Sequence, residues 1–231
     1  MITVISAGTS GNREMMAENR RRCEALGYRY VAHDLELSSD LQGALPPCTF
    51  KPELLLKSLR DGEPRGRNAE VGSTGDDPSR IIAWLDADAI VVRPLGCLID
   101  IEFDVAVTLR PPEEIGTTQP TSNYLNAGVI FFRPGGAACQ FVADWCVLTA
   151  KTKNDQAALN QMVGPGWTDG EWRNSFDCTY ATNHALIHVL RATEWNWSSW
   201  DRPRPPEARI LHFKHGWRAI NGEQWWRKEI E

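Results

Sequence analysis

The sequence predicts an α/β fold with parallel strands, and two observations indicate it. The chain opens with a strand, a helix and a second strand, a unit whose two strands run parallel with a right-handed crossover. Further on, residues 81–85 read Ile-Ile-Ala-Trp-Leu. Such a short, continuous apolar run is typical of a strand buried on both faces of a sheet. Both patterns belong to domains in which helices cover a central sheet.

The first half of the chain predicts alternating strands and helices. Residues 2–6 and 28–33 are apolar strands, and the turn 7–12 follows the first of them. The helix between the strands runs from about Arg13 to Leu26, and Gly27 ends it. Its core face carries four apolar side chains, Met15, Met16, Cys23 and Leu26. A second helix begins near Pro52 and carries Leu54, Leu55 and Leu59.

The second half continues the same alternation after the run 81–85. Apolar runs predict strands at residues 90–92, 105–109, 124–133, 187–190 and 209–213. Helices are predicted at residues 135–148, 154–162 and 222–231, the second of them capped by Asn154. Residues 61–79 and 110–122 are rich in glycine, proline and polar residues, which predicts loops.

Composition favours one globular domain of ordinary type. The chain has 231 residues, of which 42% are hydrophobic and 24% charged. No stretch approaches the roughly 18 apolar residues of a membrane span. The apolar start, residues 1–7, is too short for a signal peptide and lacks a basic residue, so we expect a soluble cytoplasmic protein. The net charge of −5 argues against broad electrostatic binding to nucleic acid, and the six cysteines show no zinc-binding spacing.

Two carboxylates follow the apolar run 81–85 directly. Asp86 and Asp88 are separated by Ala87 alone. Residues that follow a parallel strand lie at the carboxyl edge of the sheet, where α/β folds place their ligands. Both side chains can approach one hard cation there, since oxygen ligands suit such an ion. Spacing alone leaves a second interpretation open, an acidic turn after a core strand.

Four segments occur in an order that resembles a known enzyme family. They are Trp84-Leu-Asp-Ala-Asp88, Leu125-Asn-Ala-Gly-Val-Ile-Phe-Phe132, Asn154-Asp-Gln-Ala-Ala-Leu-Asn160 and Ile210-Leu-His-Phe-Lys-His-Gly216, with a weaker echo in Trp195-Asn196. Together they resemble the retaining glycosyltransferases of the GT-A fold, in particular the glycogenin-like and lipopolysaccharide galactosyltransferase-like group.

The resemblance implies a fold and a division of the chain. The fold is GT-A, a Rossmann-like nucleotide-diphospho-sugar transferase fold with a mixed, mostly parallel central sheet. Residues 1–231 form a single domain. Its first half, 1–100, binds the nucleotide and ends in the Asp-x-Asp motif, and its second half, 101–231, binds sugar and acceptor.

The resemblance also implies a metal site. Asp86, Asp88 and His212 are its ligands. An imidazole ligand favours Mn²⁺, with Mg²⁺ as the alternative. His212 also has a plainer interpretation, as the residue at the end of an apolar strand.

A nucleotide-sugar donor, a UDP-sugar by resemblance, is implied beside that metal. Its binding residues fall in five segments: Ala7, Thr9 and Asn12; Lys51; Asp86; Asn126, Ala127 and Gly128; Lys214 and Gly216. Lys51 is alternatively a solvated lysine. The late motif departs from the family because the usual phosphate-binding lysine is displaced, which leaves Lys214 or Arg218 in its place.

Asp155 and Gln156 are the implied catalytic residues. The resemblance sets them against the sugar hydroxyls and the reacting face, whereas helix capping and a solvated side chain are the alternatives.

Two other functions are weighed against the transferase. A sugar-phosphate nucleotidyltransferase shares a glycine-rich opening loop, but it needs a lysine soon afterwards and the next one is Lys51. A non-catalytic nucleotide-sugar-binding protein is disfavoured by the intact acidic and histidine positions. The acceptor is left open among a saccharide, a protein, a small metabolite and a modified DNA base, with nucleic acid not favoured.

Overall fold

A computed structural model describes residues 1–35, 50–61, 79–110, 124–164, 177–182, 185–198, 203–213 and 226–230. The elements in these ranges are β1 (Ile2–Gly8), α1 (Arg13–Ala25), β2 (Arg29–Asp34), α2 (Phe50–Asp61), β3 (Ile81–Leu85), β4 (Ala89–Val91), β5 (Val105–Leu109), β6 (Leu125–Phe132), α3 (Gly136–Thr152), α4 (Asp155–Val163), β7 (Cys178–Ala181), β8 (Leu186–Arg191), α5 (Ala192–Trp195), β9 (Ile210–His212) and α6 (Trp226–Ile230).

Seven of these strands form the central sheet in the order β2-β1-β3-β6-β5-β8-β7. Strand β1 pairs in parallel with β2 and β3, and β5 pairs in parallel with β8. Strands β6 and β7 run antiparallel to their neighbours. The prediction of a mixed, mostly parallel sheet is therefore confirmed, and so is the opening parallel pair.

Strand β3 lies inside this sheet, between β1 and β6, and all five of its residues are buried. Its side chains alternate between two apolar clusters. Ile82 and Trp84 join the cluster that contains Trp145, whereas Ile81, Ala83 and Leu85 join the one that contains Phe131. Burial on both faces explains why the sequence shows an unbroken apolar run rather than an alternating one.

A second, two-stranded sheet brings the end of the chain back to the acidic turn. Strands β4 and β9 pair antiparallel, with Ala89 opposite His212. The amide of Phe213 also donates to the carbonyl oxygen of Asp88 at 2.7 Å. The strand register thus places His212 beside Asp88, although more than a hundred residues of chain lie between them.

The pairing of β5 with β6 contains an irregularity. Val107 lies opposite Ile130, but the next residue, Thr108, lies opposite Asn126. Residues 127–129 of β6 therefore have no partner in this register and form a bulge. Bulges re-aim side chains next to functional sites, and this one lies against the acidic turn because the Asp86 amide donates to the Gly128 carbonyl oxygen at 2.8 Å.

Several predicted boundaries were wrong. Helix α3 continues to Thr152, four residues past its predicted end, and Lys153 then terminates it in the left-handed region at φ 56°. Strand β7 and helix α5 were not predicted; both are only four residues long. The predicted loops 61–79 and 110–122 lie almost wholly outside the described residues.

Helix α6 confirms the core of the predicted terminal helix, which is shorter in the structure than residues 222–231. Its Trp226 packs in a third apolar cluster with Ile90 and Leu211 of the small sheet. None of the helices in the described ranges is long and apolar enough to cross a membrane. The five cysteines in these ranges are free thiols.

Candidate functional site

A cleft of about 470 Å³ opens at the carboxyl edge of the sheet. The turn after β1, the first turn of α2, the turn after β3 and the start of α4 all contribute walls to it. Seven of the predicted site residues line it: Ala7, Thr9, Asn12, Lys51, Asp86, Asp88 and Asp155. The fold thus brings together residues that come from four separate segments of the sequence.

Asp86 and Asp88, which line this cleft, form a compact cluster with His212. Their ligand atoms all lie within 4.8 Å of one another. The Nε2 atom of His212 lies 3.2 Å from Asp88 Oδ1 and 4.0 Å from Asp86 Oδ2. His212 is buried, whereas both carboxylates are partly open to solvent.

Gly128 leaves the space in which this cluster sits. A Cβ atom at this position would come within 2.3 Å of His212 Cε1, 2.8 Å of Asn126 Oδ1 and 2.9 Å of Asp86 Oδ2. A glycine is needed here because the backbone of the β6 bulge approaches the cluster closely. The Gly128 backbone thus lies close to His212 and Asp86, two of the predicted metal ligands.

The cluster suits a divalent cation. Two carboxylates supply hard oxygen ligands, and an imidazole nitrogen with an adjacent carboxylate suits Mn²⁺ at least as well as Mg²⁺. Two like charges from Asp86 and Asp88 also face one gap, a repulsion that a cation would relieve.

Lys51 links the cluster to the opposite wall of the cleft. The lysine is buried, and its Nζ atom lies 2.9 Å from Asp86 Oδ1 and 2.7 Å from Asp155 Oδ2. The same atom donates to the Ala127 carbonyl oxygen at 2.9 Å. Because the side chain is buried, the alternative of a solvated lysine is wrong; donor binding by Lys51 stays a prediction.

Lys51 and Asp86 hold each other ionised. Burial alone would lower the pKa of Lys51, but the carboxylates of Asp86 and Asp155 outweigh it and raise that pKa. Burial alone would raise the pKa of Asp86, but Lys51 and His212 outweigh it and lower that pKa. The indole of Trp84 adds to this effect because its Nε1 donates to Asp86 Oδ1 at 2.9 Å. One oxygen of Asp86 is thus held by protein, and the other faces the cluster.

The first turn of α4 forms another part of the cleft wall. Asn154 caps this helix as predicted, since its side chain accepts from the Ala157 amide at 2.9 Å. Asp155 is buried and does not serve as the cap; its backbone oxygen accepts from Trp145 Nε1 at 2.8 Å. Gln156 is half-buried, and its Oε1 accepts from the Ala127 amide at 3.4 Å.

The residues around the β6 bulge contact both the acidic turn and the first turn of α4. Asn126 Oδ1 accepts from the Gly128 amide at 2.6 Å, which folds the bulge on itself. The two backbone groups of Ala127 contact Gln156 and Lys51. Ala127 therefore holds these two side chains in place, a role that the sequence did not indicate.

Three contacts near the site were not predicted. Trp84 was read as a core residue, and nothing in the sequence marks its indole as a partner of Asp86. Asn196 lies 2.9 Å from His212 Nδ1; the Trp195-Asn196 pair was noticed, but without a role. Thr108, which contacts Asn196, carries no sequence signal. The predicted donor residues Lys214 and Gly216, with the alternative Arg218, lie outside the described residues.

Structural comparison places this architecture among known folds. No protein-family model and no curated protein matches the sequence. A glycosyltransferase involved in glycosylation of the major capsid of PBCV-1 is similar over 92% of this chain and 94% of its own, with a TM-score of 0.58 and 15% identity. The galactosyltransferase LgtC, in complex with donor and acceptor sugar analogs, is similar over 99% and 94%, with a TM-score of 0.54 and 12% identity. These similarities show that the chain has the GT-A fold.

Proposed function

We propose that this protein is a metal-dependent glycosyltransferase that moves a sugar from a nucleotide-sugar donor, a UDP-sugar, to an acceptor with retention of anomeric configuration. One observation carries the proposal. Asp86 and Asp88, which form a cluster with His212, line the same cleft as the turn after β1 and Asp155. The GT-A fold and the order of the four motifs support it.

The reaction breaks the bond between the anomeric carbon and the diphosphate oxygen. A divalent cation, when bound, stabilises the negative charge that gathers on the departing nucleoside diphosphate. Asp86, Asp88 and His212 would hold that cation, Mn²⁺ in preference to Mg²⁺. The polar atoms of Thr9 and Asn12, with the backbone of Ala7, would contact base and ribose, because nucleotides in such sheets lie over the end of the first strand. Lys214 or Arg218, with Gly216, would contact the diphosphate.

Lys51 has two roles in this proposal. It keeps Asp86 ionised for the cation, and it holds one oxygen of Asp155. Because Lys51 fixes the carboxylate, the orientation of the second oxygen of Asp155 is also fixed. In this position it accepts hydrogen bonds from donor sugar hydroxyls, beside the pocket wall formed by Asn126, Ala127 and Gly128.

Retention follows from the groups near the sugar. An inverting enzyme needs a carboxylate base on the face opposite the leaving group. Here the carboxylate of Asp155 is paired with Lys51, and the neighbouring Gln156 is an amide, which is a poor base. We therefore propose a front-face reaction. The acceptor oxygen bonds to the anomeric carbon on the side that the diphosphate leaves, and the acceptor proton passes to a diphosphate oxygen.

A donor screen tests the proposal. The protein is incubated with Mn²⁺ and a panel of nucleotide-sugars and acceptors, and products are detected by mass spectrometry. A parallel arm supplies a sugar phosphate with a nucleoside triphosphate, which would reveal a nucleotidyltransferase instead. NMR of the product's anomeric proton then reports stereochemistry: an α-linked product from an α-linked donor is expected. A β-linkage would overturn retention, and formation of a nucleotide-sugar would overturn the transferase.

A further inference from the structure

A chain of buried polar side chains runs from His212 away from the cleft. His212 Nδ1 lies 2.9 Å from Asn196 Oδ1, and Asn196 Nδ2 donates to Thr108 Oγ1 at 2.8 Å. The hydroxyl of Thr108 donates in turn to backbone oxygens of the β6 bulge, to Val129 at 3.3 Å and more weakly to Asn126 at 3.5 Å. All three side chains are almost fully buried.

The donors and acceptors in this chain can be assigned in order. The Thr108 hydrogen is directed at carbonyl oxygens, which only accept, so its oxygen is left to accept from Asn196. An amide that donates from Nδ2 to Thr108 presents its Oδ1 to the imidazole. Because that oxygen only accepts, His212 Nδ1 must carry a hydrogen.

This assignment has a consequence for the other ring nitrogen. A neutral imidazole carries one hydrogen, so a hydrogen on Nδ1 leaves Nε2 with a lone pair. Nε2 lies 3.2 Å from Asp88 Oδ1, a carboxylate oxygen that also only accepts and therefore competes with Asn196 Oδ1 for the ring hydrogen. Histidines that bind metals generally donate their second ring N–H to a fixed acceptor, which sets both tautomer and orientation.

The backbone holds Asn196 in register with His212. Helix α5 ends at Trp195, and Asn196 is its C-cap residue, whose amide donates to the Ala192 carbonyl oxygen at 2.8 Å. The next residue, Trp197, pairs with β9 through two backbone hydrogen bonds, one of which is from the His212 amide. The side chains of Asn196 and His212 are therefore fixed at both ends of their contact.

We propose that Asn196, oriented by Thr108, is the positioning residue that holds a hydrogen on His212 Nδ1 and directs Nε2 at Asp86 and Asp88. The proposal rests on the metal site of the proposed function for its purpose, although not for its geometry. The polar chain also connects the bulge that carries Gly128 to the histidine, so both sides of the cluster share one support.

NMR of the metal-free protein tests the tautomer directly. Long-range ¹H–¹⁵N correlation spectra of the histidine side chains are recorded at a pH of about 8, where an ordinary histidine is neutral. His212 is assigned from its absence in His212→Gln. We expect a hydrogen on Nδ1 in the wild type, held there by Asn196, and its transfer to Nε2 in Asn196→Ala, where Asp88 is the acceptor that remains. His188, whose Nδ1 contacts Thr179 Oγ1 at 2.7 Å, serves as the internal control and should not change.

Two further variants separate positioning from a merely structural role. Asn196→Asp keeps an acceptor opposite Nδ1 and should keep the wild-type tautomer, because the Thr108 hydroxyl can turn to donate to the carboxylate. Thr108→Val removes the hydroxyl that orients the Asn196 amide but keeps the shape of the Thr108 side chain. Part of the His212 population should therefore lose the hydrogen on Nδ1. These variants also report if Asn196→Ala fails to fold.

Titration of Mn²⁺ followed by electron paramagnetic resonance supplies a second readout. Asn196→Ala should bind Mn²⁺ about 10–100-fold more weakly than the wild type, as expected for loss of such a partner. A wild-type His212 without a hydrogen on Nδ1 would overturn the proposal, and so would an Asn196→Ala variant that keeps this hydrogen on Nδ1. A wild type with the expected tautomer but no Mn²⁺ binding would instead overturn the metal site and leave the positioning role intact.

Discussion

The two ends of the cleft are built in different ways. At the metal end, Asp86 and Asp88 extend from a buried strand, and strand pairing fixes His212 beside them. At the sugar end, Asp155 and Gln156 lie on a short helix that is held by side-chain contacts, from Trp145 to the Asp155 backbone and from Gln156 to the β6 bulge. Backbone pairing determines the first end, and individual side chains determine the second.

Lys51 connects these two ends. It contacts one carboxylate from each, and it comes from a helix that belongs to neither. Because one buried cation balances a carboxylate from each end, the charge at one end depends on the residues at the other. We therefore expect substitutions at the metal end to abolish function and substitutions at the sugar end to reduce it. Substitution of Lys51 should affect stability as well.

The largest expected effect is at the metal end. Asp88→Ala should cut turnover by about 100-fold or more, because the charge on the leaving group would lose its stabilisation. Stability of the metal-free protein should stay the same or rise, since removal of one carboxylate relieves repulsion with Asp86. Steady-state kinetics and chemical denaturation measure the two effects. The matched control is Asp100→Ala, an exposed carboxylate far from the cleft; full activity in Asp88→Ala would reduce the motif to an acidic turn.

Substitution of Lys51 should destabilise the fold. Lys51→Met keeps the length of the side chain but leaves Asp86 and Asp155 without their cation. Loss of one partner from a buried pair costs about 3–5 kcal/mol, and we expect roughly half of that because Asp86 is partly exposed to solvent. Urea denaturation measures the change in unfolding free energy.

The control for Lys51→Met is Lys57→Met on the same helix, since Lys57 is exposed. It should leave stability nearly unchanged. Equal effects of the two substitutions would show that Lys51 does not link the two ends.

A smaller effect is expected at the sugar end, and it should differ between neighbours. Asp155→Ala should slow turnover by about 10–100-fold, the range for a lost hydrogen bond to a charged group. Gln156→Ala removes a neutral group and should cost less than about tenfold. Kinetics with a saturating donor compare them. A larger loss in Gln156→Ala would move the reacting group to the amide and revise the assignment.

The smallest effect concerns pH and lies outside both ends. Burial lowers the pKa of His33 and of His188 below the ordinary 6.5. The unfolded chain therefore takes up these protons first as pH falls through about 6.5, and stability decreases until the folded pKa is reached. The Asp86 carboxyl, with its lowered pKa, keeps its contribution throughout this range. Thermal midpoints between about pH 7 and 5 should fall less in a His33→Gln, His188→Gln double variant; an equal fall would assign the effect to other groups.

The same contrast explains what could be predicted from sequence. Asp86 and Asp88 were predicted because a buried strand followed by acids is a local pattern. His212 was predicted from the order of motifs, and the register of β4 with β9 then confirmed its position beside Asp88. The sheet followed from apolar runs, which record burial directly.

Contacts between distant side chains left weaker traces. Burial of Lys51 depends on two carboxylates from other segments, so the sequence could not decide between a solvated and a buried lysine. The polar atoms of Trp84 and Thr108 are hidden within apolar strands, where pattern indicates burial but not hydrogen bonding. Strand β7 was missed because four residues at a sheet edge give too little periodicity to recognise.

One titration tests most directly whether the metal end and the turn after β1 form a single site for a nucleotide. UDP is titrated calorimetrically into the protein with Mn²⁺, with Mg²⁺ and with EDTA, and again into Asp88→Ala, with GDP, ADP and dTDP as comparisons. We expect UDP to bind with Mn²⁺, to add about 2.7 kcal/mol of stability at a hundredfold excess over its dissociation constant, and to lose most of its affinity in EDTA or in Asp88→Ala. Equal binding with and without metal, or no metal-dependent binding of any nucleotide, would contradict the account.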